Sequence, residues 1–155
     1  MKNQTAFTLI ELMVVVVLIF ILTTYAIPNI RALMVNNRII AKNNQLIHAV
    51  NYAKSEAIAD ANRIIQIQQI DGDWSNGWEI VDASNDSSIR TLKIFEYKND
   101  SVTVTSELSK FRYTSRGYLQ TPIVLDICNT EYPTRGHRIT VRRTGRASTE
   151  SLNCN

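Results

Sequence analysis

The chain opens with a run in which hydrophobic positions neither alternate nor recur with a helical period. From Leu12 to Leu22 it reads LMVVVVLIFIL without one polar side chain. Counted from Phe7 to Ile27, about 21 residues are interrupted only by threonines, one tyrosine and Glu11, enough as a helix to span a bilayer. Pro28 lacks a backbone donor and crowds the preceding turn, so a helix continuing through it is expected to bend. Beyond it, apolar residues at Ile30, Leu33, Met34, Ile40, Ile47, Val50, Ala57, Ala61 and Ile64 recur at helical spacing. Arg31, Asn36, Asn37, Arg38, Lys42, Asn43, Asn44 and Asn51 fall mostly off that stripe. The pattern predicts a helix from about Thr8 to about Asn62, roughly 80 Å long, amphipathic in its second half. No domain of this size hides so much helix, so the first half is expected to protrude.

After Arg63 the period changes to two, as in Ile65-Gln66-Ile67-Gln68, and β-branched residues cluster. Strands are expected at Arg63 to Ile70, Trp78 to Val81, Thr91 to Tyr97, Ser101 to Thr105, Phe111 to Thr114, Ile123 to Ile127 and Arg138 to Arg142. Turn signals separate them: Asp71-Gly72-Asp73, Ser75-Asn76-Gly77, Lys98-Asn99-Asp100, Arg116-Gly117 and Arg135-Gly136. Trp74 and Trp78 read as two aromatics flanking a tight turn, both packing on a sheet. The fold class is α+β: one long N-terminal helix packed on an antiparallel β-sheet.

With the membrane-length segment set aside, the rest of the 155 residues suffices for one domain. The net charge of +3 is uneven, because residues 110–155 carry eight Lys/Arg against three Asp/Glu, and residues 1–109 nine against eleven. The basic excess therefore belongs to the C-terminal third. His48 and His137 are far apart in sequence, and no nucleophile grouping, phosphate-cradling glycine loop or metal-ligand spacing is visible. No catalytic residue, metal or cofactor is expected, and the chain does not read as an enzyme.

An ordinary secretory signal with cleavage after Ala26 would account for the apolar run, but Glu11 argues against it. A carboxylate in an apolar helix costs about 2.5 to 3.5 kcal/mol on insertion scales, so its presence calls for a partner. A cut between Ala6 and Phe7 would supply one, freeing an α-ammonium a few residues away. The segment Phe7-Thr8-Leu9-Ile10-Glu11-Leu12-Met13-Val14 closely resembles the processing signal of type IV pilins and type II secretion pseudopilins. The resemblance implies removal of residues 1–6 by a prepilin peptidase on the cytoplasmic face and N-methylation of Phe7. It further implies that Glu11 serves assembly and that Pro28 bends the helix. The leader here ends in Ala6 where the family usually has Gly.

The stretch Trp74-Ser75-Asn76-Gly77-Trp78, with Phe111 to Gly117 and Thr144-Gly145-Arg146, resembles the GspH/FimT/FimU branch of these pilin-like proteins. That implies a single-pass inner-membrane anchor over 7–28 and a periplasmic domain over 29–155, in the pilus or pseudopilus after assembly. Outside the cytoplasm, Cys128 and Cys154 are expected to pair. Closing that loop of roughly 27 residues is worth about 3.5 kcal/mol in the chain-entropy model.

Arg135, Arg138, Arg142, Arg143 and Arg146 lie within twelve residues that hold no carboxylate. One account is a solvated strand face; the other is phosphate binding, with the guanidinium forks neutralising a DNA backbone without reading sequence. The resemblance to FimT, one member of this branch, implies DNA binding through an Arg-rich region after the Gly-Arg pair, but here Gly145-Arg146 is followed by Ala147-Ser148-Thr149. The expected function is therefore a structural minor pilin acting in assembly near a filament tip, with other pilins as partners. The alternatives are a DNA-binding pilus protein for natural transformation and a minor pseudopilin of type II secretion.

Overall fold

The computed structural model describes residues 8–85, 88–98, 101–131 and 135–154, without the side chains at 25, 26, 28 and 29. Ala6 and Phe7 lie outside the described residues. Helix α1 (Leu9–Ala59) is followed by β1 (Ile65–Ile70), β2 (Asp73–Asp82), β3 (Arg90–Glu96), β4 (Val102–Thr105), β5 (Lys110–Tyr113), β6 (Ile123–Asn129), β7 (Gly136–Val141) and β8 (Ala147–Leu152). The strands form two antiparallel four-stranded sheets, ordered β3-β2-β1-β5 and β4-β6-β7-β8. The chain divides into two compact units, Met1–Met34 and Val35–Asn155, the first consisting, where described, of the start of α1.

In the first unit the apolar side chains from Leu9 to Leu22 all face outward. The hydroxyls of Thr23 and Thr24 donate back to the carbonyls of Ile19 and Phe20, which satisfies them inside their own helix. Among the described residues no helix is long and apolar enough to cross a membrane. The first unbroken run of described side chains ends at Thr24.

The second unit carries the core. Val35, Ile39, Leu46, Ala49, Val50, Ala53 and Ala57 of α1 pack in one cluster with inward residues of both sheets, among them Ile65, Ile67, Trp78, Phe111, Leu125 and Ile139. Period-two alternation sends Ile65 and Ile67 of β1 to this core and Gln66 and Gln68 to the other face.

Helical spacing located α1 well but its buried face only in part. Ile30, Leu33, Met34, Ile40 and Ile64 of the expected stripe are exposed, and Lys42, expected off it, is 2% exposed. Its stem runs through the core edge so that Nζ donates to the Val102 carbonyl (2.6 Å) and lies 4.5 Å from the centre of the Tyr97 ring. A long side chain can bury its methylenes where its head finds a carbonyl and an aromatic face. The helix also ends at Ala59 rather than near Asn62.

Two other expectations are corrected. No turn separates Trp74 from Trp78, because β2 runs through both, and both indoles are buried. The β1–β2 register jumps from Gln69↔Trp78 to Ile70↔Asp73, so Trp74 to Gly77 swing away from β1. They reach the second sheet and its flanking loop instead. Val104 N donates to Ser75 Oγ (3.1 Å), and Trp74 Nε1 donates to the Leu108 carbonyl (2.8 Å). Gly77 is needed here for close approach rather than for a turn: a Cβ would sit 2.0 Å from the Phe95 carbonyl oxygen. The second correction is β8, whose polar sequence ASTESL gives no strand signal. It forms because β7 offers a full ladder, from Gly136↔Leu152 to Val141↔Ala147.

Candidate functional site

Two regions carry the chemistry that the sequence singles out, and the first is the start of α1. Thr8 stands just before Leu9, and the Glu11 N–H donates to the Thr8 carbonyl (3.1 Å) and hydroxyl (3.4 Å). Thr8-Leu9-Ile10-Glu11 has the capping-box spacing, with a carboxylate in the first turn of the helix, where the unpaired N–H groups favour negative charge. The sequence reading looked for Glu11's partner in an α-ammonium; this local stabilisation was legible in the same four residues. Pro28 falls within α1, and its side chain lies outside the described residues.

The second region is the set of arginines, which the fold divides. Arg138 of β7 faces Asp126 of β6 and makes two 2.7 Å hydrogen bonds to its carboxylate, Nε to Oδ1 and Nη2 to Oδ2. That bidentate pairing, with Glu150 opposite on β8, raises the guanidinium's pKa further. Arg138 is thus committed inside its own sheet. Arg135 is exposed beside Gly136, near the disulfide that joins Cys128 of β6 to Cys154 beyond β8.

Arg142, Arg143 and Arg146 are carried by the β7–β8 hairpin. Gly145 N donates to the Arg142 carbonyl (2.8 Å), and Arg142 N donates to the Arg146 carbonyl (3.0 Å). The loop is then pinned from outside: Leu119 N donates to the Arg143 carbonyl (2.9 Å) and Lys54 Nζ to the Thr144 carbonyl (3.0 Å). Gly145 has φ 73° and abuts the Gly117 carbonyl so closely that a Cβ would lie 2.4 Å from it. A side chain at Gly145 is therefore excluded twice, by conformation and by space.

This contact joins residues that lie far apart in the sequence. Gly117 belongs to the turn Ser115-Arg116-Gly117, so exposed Arg116 joins Arg142, Arg143 and Arg146 at one corner, with Lys54 of α1 beneath. Among the described residues these four arginines form no ion pair, whereas Arg63 meets Glu56, Asp60 and Asp82 and Arg138 meets Asp126. Arg116 had been visible only as a turn signal; its partners depend on which two hairpins touch. Tyr113, buried under the corner, has its phenol pKa pushed up by burial.

His48 is exposed on α1 and His137 half-buried in β7. Among the described residues no group of three or more His, Cys, Asp or Glu side chains is placed to hold a metal.

Comparisons with known proteins bear on the family and the fold. The family model described as type II transport protein GspH matches residues 42–145, and the prokaryotic N-terminal methylation motif matches residues 1–27. No curated protein sequence matches the chain. Among solved structures, the fold is similar to the type IV minor pilin FimU of Pseudomonas aeruginosa PAO1. At 24% identity and a TM-score of 0.66, that match covers 77% of this chain and 96% of the other. A second crystal form of FimU gives a TM-score of 0.60 over 72% of this chain and 96% of that one, again at 24% identity. The minor pseudopilin EpsH of the Vibrio cholerae type 2 secretion system is similar at 16% identity and a TM-score of 0.52, over 73% of this chain and 96% of that chain.

Proposed function

The chain belongs to the type II transport protein GspH family, and from that premise we propose that it is a minor pilin, a structural subunit that acts in assembly near the tip of a type IV pilus. The observation that carries the reading is the first half of α1. Its apolar side chains from Leu9 to Leu22 are all exposed, and they lie within the stretch 1–27 that the methylation motif matches. Such a surface needs lipid before assembly and neighbouring helices after it. In this reading a prepilin peptidase cuts between Ala6 and Phe7 and methylates Phe7. The segment 7–28 anchors the chain in the inner membrane, with 29–155 in the periplasm. Glu11 then meets the α-ammonium of a neighbouring subunit in the filament, which sets register, and Pro28 bends the helix to fit. Replacing Glu11 by Ala should leave membrane insertion intact and lower incorporation into sheared filaments. Unchanged incorporation would count against the pairing.

A minor pseudopilin of type II secretion would share all of these features. Deletion of the gene separates the two: loss of surface pili supports the first, and loss of secreted protein with pili intact supports the second. A pilus-displayed DNA receptor is favoured by one observation, the four arginines at the corner of Gly117 and Gly145 that form no ion pair among the described residues. Against it stand the commitment of Arg138 to Asp126 and the lack of further arginines after Arg146. If the corner binds duplex DNA, affinity should be nearly sequence-independent, and Arg142→Gln with Arg143→Gln should flatten its salt slope by up to about two units.

A further inference from the structure

The outer face of the first sheet, turned away from the core, holds a groove of about 450 Å³ lined by Gln68, Asp71, Glu79, Ile94 and Glu96, among others. Its acids lie close together because Gln68 pairs with Glu79 and Glu79 with Ile94, while Glu96 pairs with Gly77 of β2. Glu79 accepts hydrogen bonds from Gln68 Nε2 (2.7 Å) and Thr91 Oγ1 (3.2 Å), and among the described residues it has no cation partner. Among the described residues Glu96 meets only Lys98, at 3.5 Å on the exposed surface, a contact worth little. Of the basic residues of this sheet, Lys110 and Arg112 lie on β5 at the far edge, Lys93 of β3 lies over the Tyr52 and Phe95 rings, and Arg90 at the start of β3 stands opposite Asp82, which leaves Asp71, Glu79 and Glu96 to line the groove. Beside the acids, Ile94 is 58% exposed.

The arginine corner is the counterpart in charge and in apolar surface. Arg116, Arg142, Arg143 and Arg146 lack carboxylate partners among the described residues, and Tyr118 and Ile58 stand exposed beside them. Four hydrogen bonds hold the hairpin backbone in place, so presenting its guanidinium groups requires little further ordering. Tyrosine and arginine on a rigid frame is the composition of interface anchors.

We propose that the arginine corner of one molecule docks into the Asp71/Glu79/Glu96 groove of a second copy, with Tyr118 and Ile58 against Ile94. The two surfaces differ, so the contact is head-to-tail: in a pair, one molecule keeps a free groove and the other a free corner, and association propagates unless the rotation closes a ring. Opposite charges set the orientation, and salt weakens the contact. The contact goes beyond the filament reading, because it requires neither cleavage at Phe7 nor Glu11.

The test is self-association of the full chain in nonionic detergent micelles, measured by sedimentation equilibrium at low salt. Arg142→Glu with Arg143→Glu should weaken association about tenfold or more, and Asp71→Asn with Glu96→Lys should do the same. Mixing the two variants should restore pairing, because the unaltered corner of the groove variant then meets the unaltered groove of the corner variant. Unchanged melting temperatures establish that both variants fold, and Arg142→Gln with Arg143→Gln supplies a milder variant with a smaller loss. Parent-like association of the corner variant overturns the proposal, as does a loss that mixing does not rescue. So does a corner variant that loses duplex DNA binding while self-associating like the parent, which would assign the corner to nucleic acid. A Glu11→Ala background should leave the pattern of loss and rescue intact, which separates this contact from assembly through α1.

Discussion

The two halves of α1 are one helix with opposite surroundings. Between Leu9 and Leu22 nearly every side chain is apolar and none is buried, Phe20 being 70% exposed. From Val35 to Ala57 the sequence is far more polar, yet a full stripe is buried, with Lys42 and Asn43 included. Hydrophobicity alone therefore does not say where a core lies. The second half has its partners in the same chain, namely two sheets whose inward faces complete one cluster. The first half shows its apolar side chains from Leu9 to Leu22 on the surface, and under the proposed function they are covered by lipid or by other subunits. Burial needs a shaped partner, and polar groups are tolerated where that partner offers hydrogen bonds.

The contrast can be broken by substitution. Trp78→Ala removes an indole that is 0% exposed and tilted against Phe95 and Tyr97, with ring centroids 5.8 and 5.3 Å away. It should cost about 3–5 kcal/mol in denaturant unfolding of the second unit. Val17→Ala, on the exposed half, should stay within about 0.5 kcal/mol in the same assay and act on assembly instead. Equal effects of the two would erase the distinction between halves. Next in size is Cys154→Ser, expected to cost about 2–4 kcal/mol. Its hydrogen-exchange protection should fall in β8 before α1, since the disulfide ties the end of the chain to β6. Lys42→Met should lose about 1–3 kcal/mol, because the Val102 carbonyl is deprived of its 2.6 Å donor, while Arg38→Met, exposed on the same helix, should be nearly neutral. A silent Lys42→Met would mean that the buried ammonium is incidental.

Much of this fold was legible in advance, for reasons that also explain the failures. The 3.6-residue and two-residue periods gave α1, β1 and β3 to β7, since each depends on a local pattern of side-chain facing. Lys42 misled because burial of its head depends on Val102, sixty residues away, which no local period records. Gly77 misled because a glycine that permits close strand approach looks the same in sequence as one that makes a turn. β8 was invisible because its ladder comes from β7 and its own residues contribute little. At the candidate sites, Glu11 was conspicuous as a charge in an apolar run. The grouping of Arg116 with Arg142, Arg143 and Arg146 was hidden in a contact between two hairpins.

The smallest expected effect is one of pH. Asp82 has its carboxyl held below the usual carboxylate range, first by the Ser84 hydroxyl and further by Arg63 and Arg90, against an opposing contribution from burial. A depressed folded-state pKa means that the stabilisation is fully present above the unfolded value of about 3.9 and is lost as pH falls through the lower folded value. Asp82→Asn should therefore be less stable than the parent near neutrality, and acid titration should show that difference closing as pH falls below that point, the variant's own loss being the shallower. It is also confined to the second unit, where Asp82 closes β2 against Arg63.

The contrast between the halves of α1 rests on what happens at its start, and one measurement tests that directly: the intact mass of the protein recovered from membranes and from sheared filaments. The account predicts a chain that begins at Phe7 and carries one methyl group, with the whole apolar segment retained. A chain that begins at Ile27 would contradict it, because the exposed half of α1 would then have been a discarded signal and no filament contact could depend on it.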